Sequence, residues 1–165
     1  DVLGSRGLGD VYKRQVLDRI KNPVRCMDIA VPFNNLVWRS LDDPVMPVIR
    51  IMNDRNISHV PILKDKRVVG DFSDNCIFPY LLGDTNCHID EKTRFRDLQE
   101  YIGLEKHPSE RFRFVAYDEK VMNVKKYYEE SRRDHERIGL IFLTETGHPD
   151  ERLLGILTSW LIIGN

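Results

Sequence analysis

The sequence lacks an excess of charge of either sign. Its 165 residues carry 25 Lys and Arg against 26 Asp and Glu, which gives a formal net charge of −1. A chain so balanced has no overall field that attracts nucleic acid or an anionic membrane, although local patches can still do so. We therefore expect neither nucleic acid nor a membrane among its partners.

Long apolar runs and paired cysteines are also missing. No run is long enough to span a bilayer, and the N-terminal residues lack the apolar core of a secretion signal. The three cysteines are odd in number and none belongs to a CxxC motif: Cys26, Cys76 and Cys87. Free thiols in a reducing compartment are the simplest interpretation, which predicts a cytoplasmic protein.

The sequence also shows no grouping of residues that is typical of a catalytic or metal site. The five histidines are scattered, and the nearest approach to a metal cluster is Cys87-His88 with Asp90. Adjacent residues of one linker rarely form a metal site alone. Because no nucleophile, base and orienting group come together in the pattern, we expect no enzyme, no metal and no cofactor.

The N-terminal segment 1–15 is expected to be non-native. Its run GLGDVYKRQ resembles a translated sequencing adapter. The glycines in it predict no phosphate-binding loop, because such a loop needs a preceding strand and none can be placed there.

What the sequence does contain is two diverged copies of one unit. Three pairs of segments match in the same order: 42–48 with 118–124, 58–63 with 138–143, and 69–73 with 154–158. The spacing between matched segments grows only at a helix end and in the turn at 147–150, where insertions cost little. This pattern indicates a duplication.

Each copy predicts a strand, a helix, two strands joined by a turn, and a second helix, in an α/β (α+β) fold. The first long helix is expected to have an acidic N-cap, Pro44 at its first position and Asn56 at its end. The expected leading strands are 36–41 and 111–117, and the closing helices begin at Ser73 and Thr158. The predicted parts are a first repeat at 16–86 with its leading segment, a linker at 87–108 with a short helix at 95–102, and a second repeat at 109–165 with a truncated last helix.

These residues resemble the CBS domain pair, the tandem module named after cystathionine beta-synthase. The likeness rests on ISHVPI at 57–62, VVG at 68–70, IFLTE at 141–145 and LGILTSW at 154–160. It implies two β-α-β-β-α repeats packed sheet to sheet with pseudo-two-fold symmetry, and a homodimer of such pairs. It also implies a regulatory module that binds AMP, ADP, ATP or S-adenosylmethionine between the repeats and controls an unidentified effector protein.

The resemblance assigns candidate binding residues. Hydroxyls of Ser73 and Thr158, at helix starts, would contact phosphate, with plain helix capping as the alternative. Strand residues would line the adenine side, with a place in the core as the alternative for each. The full set is Ser58, His59, Val60, Pro61, Ser73, Asp74, Cys76, Arg137, Gly139, Leu140, Ile141, Thr158, Ser159, Trp160 and Leu161.

One departure from the family pattern leaves two functions open. The pattern usually places an Asp three residues after the Ser or Thr, where it holds the ribose hydroxyls. Here those positions are Cys76 and Leu161, and neither side chain can accept two strong hydrogen bonds. The chain is either a nucleotide-sensing module or a ligand-free module for structure, dimerisation or protein interaction.

Overall fold

The computed structural model describes residues 3–83, 88–107 and 109–164. The helices are α1 (Leu3–Lys21), α2 (Cys26–Ile29), α3 (Val45–Arg55), α4 (Asp74–Gly83), α5 (Gln99–Ile102), α6 (Val121–Arg133) and α7 (Ser159–Ile163). The strands are β1 (Val31–Pro32), β2 (His59–Lys64), β3 (Arg67–Ser73), β4 (Glu110–Ala116), β5 (Arg137–Thr144) and β6 (Gly155–Leu157). Two short 3₁₀ helices cover Phe33–Asn35 and Phe95–Leu98. Cys87, and with it the cluster considered above, lies outside the described residues.

The first repeat is built on the antiparallel hairpin of β2 and β3. Its turn places Asp65 and Lys66 at φ values of 52° and 63°, and two positive φ values in succession are typical of the hairpin turn that matches strand twist. Helix α3 buries Val45, Val48 and Met52, which form a core with residues of both strands.

The second repeat forms a sheet in the order β1-β6-β5-β4. Strands β4 and β5 are parallel, with α6 as their crossover, and β6 runs antiparallel to β5. Helix α6 buries Val121 and Val124 in a core that also contains Leu143 of β5 and Leu157 of β6. Strand β1, which precedes the first repeat, completes this sheet by pairing with β6.

The two sheets share a third core. Leu63 of the first sheet is buried together with Leu140, Phe142 and Ile156 of the second. Burial of apolar side chains from both sheets in one cluster is what holds stacked sheets together. The predicted α/β fold, with two repeats packed sheet to sheet, is confirmed.

The predicted leading strand at 36–41 is wrong. This segment is extended, but only Arg39 pairs with β2, by donating to the carbonyl of Pro61 (3.1 Å) and accepting from the amide of Leu63 (2.7 Å). The next bond of a parallel ladder would come from the nitrogen of Pro61, which carries no hydrogen. The equivalent strand of the second repeat has no such interruption and forms β4, at Glu110–Ala116.

Helix boundaries also differ in detail. The N-cap of α3 is Pro44 rather than an acidic residue, and the Asp43 carboxylate instead accepts the amide of Ser40 (2.7 Å). The N-cap of α6 is Lys120. Asn56 ends α3 in the left-handed conformation, at φ 53°, which confirms that prediction. The short helix predicted over 95–102 is present as a 3₁₀ turn followed by α5.

The N-terminal segment forms most of α1, and its residues 9–18 are exposed. The non-native origin of 1–15 and the domain boundaries stay predictions. None of the described helices is both long and apolar enough to cross a bilayer.

Candidate functional site

A cavity of about 550 Å³ opens between the two repeats. Its volume falls within the range of small-molecule pockets, about 300–1,000 Å³. We call it the open cleft. Its walls are Val31, Asn35, Leu36, Val37, Arg55, Asn56, Ile57, Ser58, His59, Arg137, Ile138, Gly139, Leu140, Ile156, Thr158, Ser159 and Trp160.

Local structure brings residues from both repeats to this cleft. The left-handed Asn56 turns the chain from α3 into β2, which places Ser58 and His59 in the wall. The start of β5 contributes Arg137 from the second repeat. Thr158, the N-cap of α7, completes the wall.

The open cleft suits an anion with an aromatic or apolar part. Arg55 and Arg137 lie in its wall, and none of the described residues lining it is Asp or Glu. The Thr158 hydroxyl makes no capping bond to α7, so its oxygen is not taken up as an acceptor by the helix amides. The Trp160 side chain is 84% exposed, which leaves its ring available for stacking.

The equivalent position in the first repeat is filled by the chain itself. Ser73, which matches Thr158, is fully buried, and so is Asp71 two residues before it. We call this position the closed cleft and define it by Asp71, Ser73, Cys76, His107 and Glu110. All five are at most 2% exposed, so a ligand cannot reach the Ser73 hydroxyl in this structure.

The closed cleft is held by a polar network. The linker residue His107 places its Nε2 3.1 Å from the Asp71 carbonyl oxygen and its Nδ1 3.8 Å from Glu110 Oε2. The Cys76 sulfur lies 3.5 Å from the same Asp71 carbonyl and 3.9 Å from the Ser73 hydroxyl. Among the described residues, Asp71 Oδ1 and Glu110 Oε2 have no hydrogen-bond partner, which is costly for buried carboxylates.

His59 connects the two clefts. It lines the open cleft, while its Nδ1 lies 2.7 Å from Asp71 Oδ2 and its Nε2 lies 3.8 Å from Glu110 Oε1. Gly139 permits this approach, because a Cβ there would lie 3.1 Å from His59 Cε1 and 3.2 Å from Glu110 Cδ. The glycine of the second repeat therefore makes room for the histidine that occupies the matching position of the first.

Burial and charge set the protonation of these groups. Burial alone lowers the pKa of His59, but the hydrogen bond to Asp71 and the charges of Asp71 and Glu110 outweigh it, so this pKa is raised. Burial raises the pKa of Asp71, and the hydrogen bond from His59 offsets only part of that increase. Burial raises the pKa of the Cys76 thiol to about 11, so it is not a thiolate nucleophile at neutral pH.

Comparison with known proteins accounts for this architecture. The sequence model of the CBS domain matches residues 40–83. The fold is similar to that of CBSX2 in complex with AMP, with a TM-score of 0.59, 15% identity, and coverage of 85% of this chain and 93% of that one. The chain has the fold of a CBS domain pair.

Two further solved structures have a similar fold. One is the CBS domain pair of protein MJ0100 in complex with 5′-methylthioadenosine and S-adenosyl-L-methionine, with a TM-score of 0.58, 18% identity, and coverage of 86% and 94%. The other is the CBS domain of a bacterial CNNM/CorC family Mg²⁺ transporter, with a TM-score of 0.56, 18% identity, and coverage of 91% and 78%. No curated protein sequence matches the chain.

The structure divides the predicted binding residues into two groups. Those it brings together in the open cleft are Ser58, His59, Arg137, Gly139, Leu140, Thr158, Ser159 and Trp160. Those it places elsewhere are Val60, Pro61, Ser73, Asp74, Cys76, Ile141 and Leu161.

The residues outside the open cleft have structural surroundings. Val60 and Ile141 are core residues, and Leu161 packs against the core of the second repeat. Asp74 lines a separate, shallower cavity of about 420 Å³.

Sequence reasoning missed several wall residues, of which Arg55 and Asn35 matter most for chemistry. Arg55 ends α3 directly before the left-handed Asn56. Because the helix end at Asn56 was predicted, the place of Arg55 beside β2 could have been inferred from the sequence. Asn35 lies in a 3₁₀ turn with no periodic signal. In the described part of the chain, no three His, Cys, Asp or Glu side chains are placed to hold a metal ion.

Proposed function

We propose that this CBS pair is a regulatory module that senses an adenosine nucleotide bound in its open cleft. AMP, ADP, ATP and S-adenosylmethionine are the candidate ligands. The observation that carries the proposal is the inter-repeat cavity itself, which combines two arginines, a free-standing Thr158 hydroxyl and an exposed Trp160 without an acidic wall residue. Structures of similar fold are complexes with AMP and with S-adenosyl-L-methionine.

The charges of the cleft favour phosphate at the arginine side. Arg55 is exposed, and Arg137 keeps 72% of its side chain exposed, so both guanidinium groups can reorient toward a ligand. Charge-assisted bonds from arginine to phosphate are among the stronger hydrogen bonds in proteins. Among the four candidates, those with a phosphate therefore fit this wall better than S-adenosylmethionine does.

Calorimetry and thermal melting with AMP, ADP, ATP and S-adenosylmethionine test the proposal. A ligand that binds only the folded chain stabilises it by RT ln(1 + [L]/Kd). Arg55→Gln should weaken AMP binding about tenfold, which corresponds to ~1.4 kcal/mol. Arg50→Gln is the matched control, because Arg50 is exposed on the same helix outside the cleft. The absence of any binding at millimolar ligand would refute the proposed function.

A ligand-free module is the alternative, favoured by Leu161. At the position where a ribose-binding acid would be expected, Leu161 packs against the core of the second repeat. This alternative predicts a chain indifferent to every nucleotide tested. Asn35, in the wall of the open cleft, offers an amide that can bond a ribose hydroxyl. Asn35→Ala should therefore weaken AMP binding only if the sensing function is correct.

The partner that we propose for the exposed apolar helices is a second copy of the chain. Helix α4 exposes Phe78 (70%) and Leu82 (83%), and α7 exposes Ile163 (77%). Because these helices are equivalent in the two repeats, a two-fold partner presents both patches again. Sedimentation should detect a dimer that Phe78→Asp disrupts. Met122→Asp, at an exposed position on α6, should leave it intact.

The regulatory readout would then lie in a partner protein or an attached domain, an effector of unidentified nature. The ligand can bias such an effector only through its different affinity for two arrangements of the repeats. We propose no catalytic role for the chain.

A further inference from the structure

The closed cleft contains two pairs of polar atoms that face each other with no hydrogen bond between them. Each oxygen of the Glu110 carboxylate lies 3.8 Å from a ring nitrogen of a different histidine, His59 Nε2 on one side and His107 Nδ1 on the other. Glu110 is only 1% exposed and Oε2 has no partner. A buried carboxylate between two imidazoles is an unusual arrangement for a purely structural core.

The hydrogen-bond roles of the two rings follow from their other partners. A carbonyl oxygen only accepts, so His107 Nε2, 3.1 Å from the Asp71 carbonyl, carries a hydrogen. His59 Nδ1, 2.7 Å from an Asp71 carboxylate oxygen, carries one when that carboxylate is ionised. In a neutral imidazole the remaining nitrogen is then an acceptor. His59 Nε2 and His107 Nδ1 are therefore acceptors that face the acceptor oxygens of Glu110, unless a further proton is bound between them.

A proton added between either nitrogen and Glu110 converts a repulsive contact into a donor and an acceptor. The closed cleft thus has defined places for protons, at buried positions where an unpaired charge is costly. The charged and titratable groups around it, from every element packed there, are His59 of β2, Asp71 of β3, Asp74 and Cys76 of α4, His107 of the linker, Glu110 and Arg111 of β4, and Arg137 of β5.

We propose that the closed cleft is a proton-binding site and that its charge controls the affinity of the open cleft for anions. The second part rests on the proposed function. His59 belongs to both clefts, and Arg137, in the wall of the open cleft, has its Nε 3.9 Å from Glu110 Oε1. When Glu110 is ionised and neither histidine carries an added proton, its negative charge attracts Arg137 and repels an anionic ligand. Proton uptake removes both effects, so anions bind more tightly at lower pH.

Linkage makes this coupling reciprocal. If protons raise the affinity for an anion, the anion must promote proton uptake by the same free energy. The chain would then respond to nucleotide and acidity together. The proton site would draw on β3 of the first repeat, the linker and the start of β4, and both repeats would contribute to the nucleotide wall.

An NMR titration of the His59 ring between about pH 5 and 8 tests the proton site without any ligand. The His59 signals should show proton uptake, because the ring faces both Asp71 and Glu110. Glu110→Gln keeps the shape of the side chain but removes its charge, and should move that transition to lower pH by about one unit or more. Glu145→Gln, at an exposed acid just after β5, should leave it in place. A His59 ring that takes up no proton across this range, or a transition that Glu110→Gln does not move, would overturn the proton site. The first of these outcomes needs only the wild-type chain, so the test holds even if the variant fails to fold.

Calorimetry with AMP tests the coupling. The ratio of AMP affinities at pH 6 and pH 8 should be about fivefold larger in the wild-type chain than in Glu110→Gln. The titration of the AMP phosphate itself, near pH 6, is common to both and cancels. Proton uptake on AMP binding, measured in buffers of different ionisation enthalpy, checks the coupling in the wild-type chain alone. Equal ratios with no proton uptake would overturn the coupling. Failure of AMP to bind at any pH would remove the proposed function and the coupling, and the NMR titration would still decide the proton site.

Discussion

The two clefts occupy equivalent places in the two repeats but have opposite character. Thr158 lines a cavity of about 550 Å³, whereas its counterpart Ser73 is completely buried. The difference arises from the residues around them. The second repeat has Gly139 and Ile156 where the first has His59 and Asp71. Beside the first, the linker adds His107 and the start of β4 adds Glu110.

This contrast indicates how a duplicated fold can have an accessible cavity in one place and a buried polar network in the equivalent one. The first cleft has a hydroxyl at the start of a helix, but buried side chains of the chain itself fill the space beside it. Its polar groups satisfy one another in part, and two carboxylate oxygens stay without partners. The second cleft keeps space and positive charge. Substitutions that act on only one of them can therefore separate their roles.

Removing the acid at the centre of the closed cleft should have the largest effect. Asp71→Ala leaves His59 buried without its partner, and loss of one member of a buried ion pair costs about 3 kcal/mol or more. Asp54→Ala, at an exposed position on α3, should change stability by less than about 0.5 kcal/mol. Urea unfolding measures both. A cost below about 1 kcal/mol for Asp71→Ala would mean that the network does not hold the closed cleft together.

Filling the space between the clefts should have the next largest effect. Gly139→Ala places a methyl group 3.1 Å from His59 and 3.2 Å from Glu110, and both neighbours are buried and held by other contacts. Overpacking of this kind costs about 2 kcal/mol. Gly9→Ala is the control, because nothing lies within 4 Å of its added Cβ. Equal melting temperatures for Gly139→Ala and Gly9→Ala would contradict the close approach of the repeats.

Stability should also fall as the solution becomes more alkaline. Folding raises the pKa of His59 and of Asp71, so the protonated forms are favoured in the folded chain. Such a contribution is complete below the unfolded pKa and is lost as pH rises through the folded one. For His59 the loss begins above about pH 6.5. Melting temperatures measured upward from that pH should decline, and less steeply in His59→Gln. A melting temperature that rises with pH instead would mean that protonation of His59 destabilises the folded chain.

The sequence predicted the repeats but not what distinguishes them. Order and type of the elements follow from local signals, such as helical spacing at Val45, Val48 and Met52 and the left-handed end at Asn56. The missing strand at 36–41 followed from Pro61, a residue whose lack of an amide hydrogen matters only once the pairing is known. The wall residues of the open cleft were found in part, because the repeat alignment points to helix starts and strand starts.

The closed cleft was beyond sequence reasoning because it depends on contacts between distant residues. Cys76 meets His107, and Asp71 is joined to Glu110 only through the two histidines. Nothing in the local pattern of DFSDNC or of EKHPSE indicates that these segments meet. Asp71 also appears as one polar residue in a strand, where an exposed position is the usual expectation.

A paired substitution gives the smallest effects and compares the two hydroxyls directly. Ser73→Ala removes a buried hydroxyl beside the Cys76 sulfur and should cost about 1 kcal/mol, with AMP affinity unchanged. Thr158→Ala removes a hydroxyl that makes no capping bond, so stability should change by less than about 0.5 kcal/mol while AMP binding weakens. Melting and calorimetry on both variants decide this. The opposite assignment, with AMP sensitive to Ser73, would exchange the roles of the two clefts.

The stoichiometry of AMP binding tests the central claim most directly. Calorimetry on the full chain should give one AMP per chain, with binding weakened by Arg55→Gln and unaffected by Arg50→Gln, because only the cleft lined by Arg55 and Thr158 is open. Two AMP molecules per chain, or AMP bound with equal affinity in Arg55→Gln, would contradict the distinction between an open and a closed cleft.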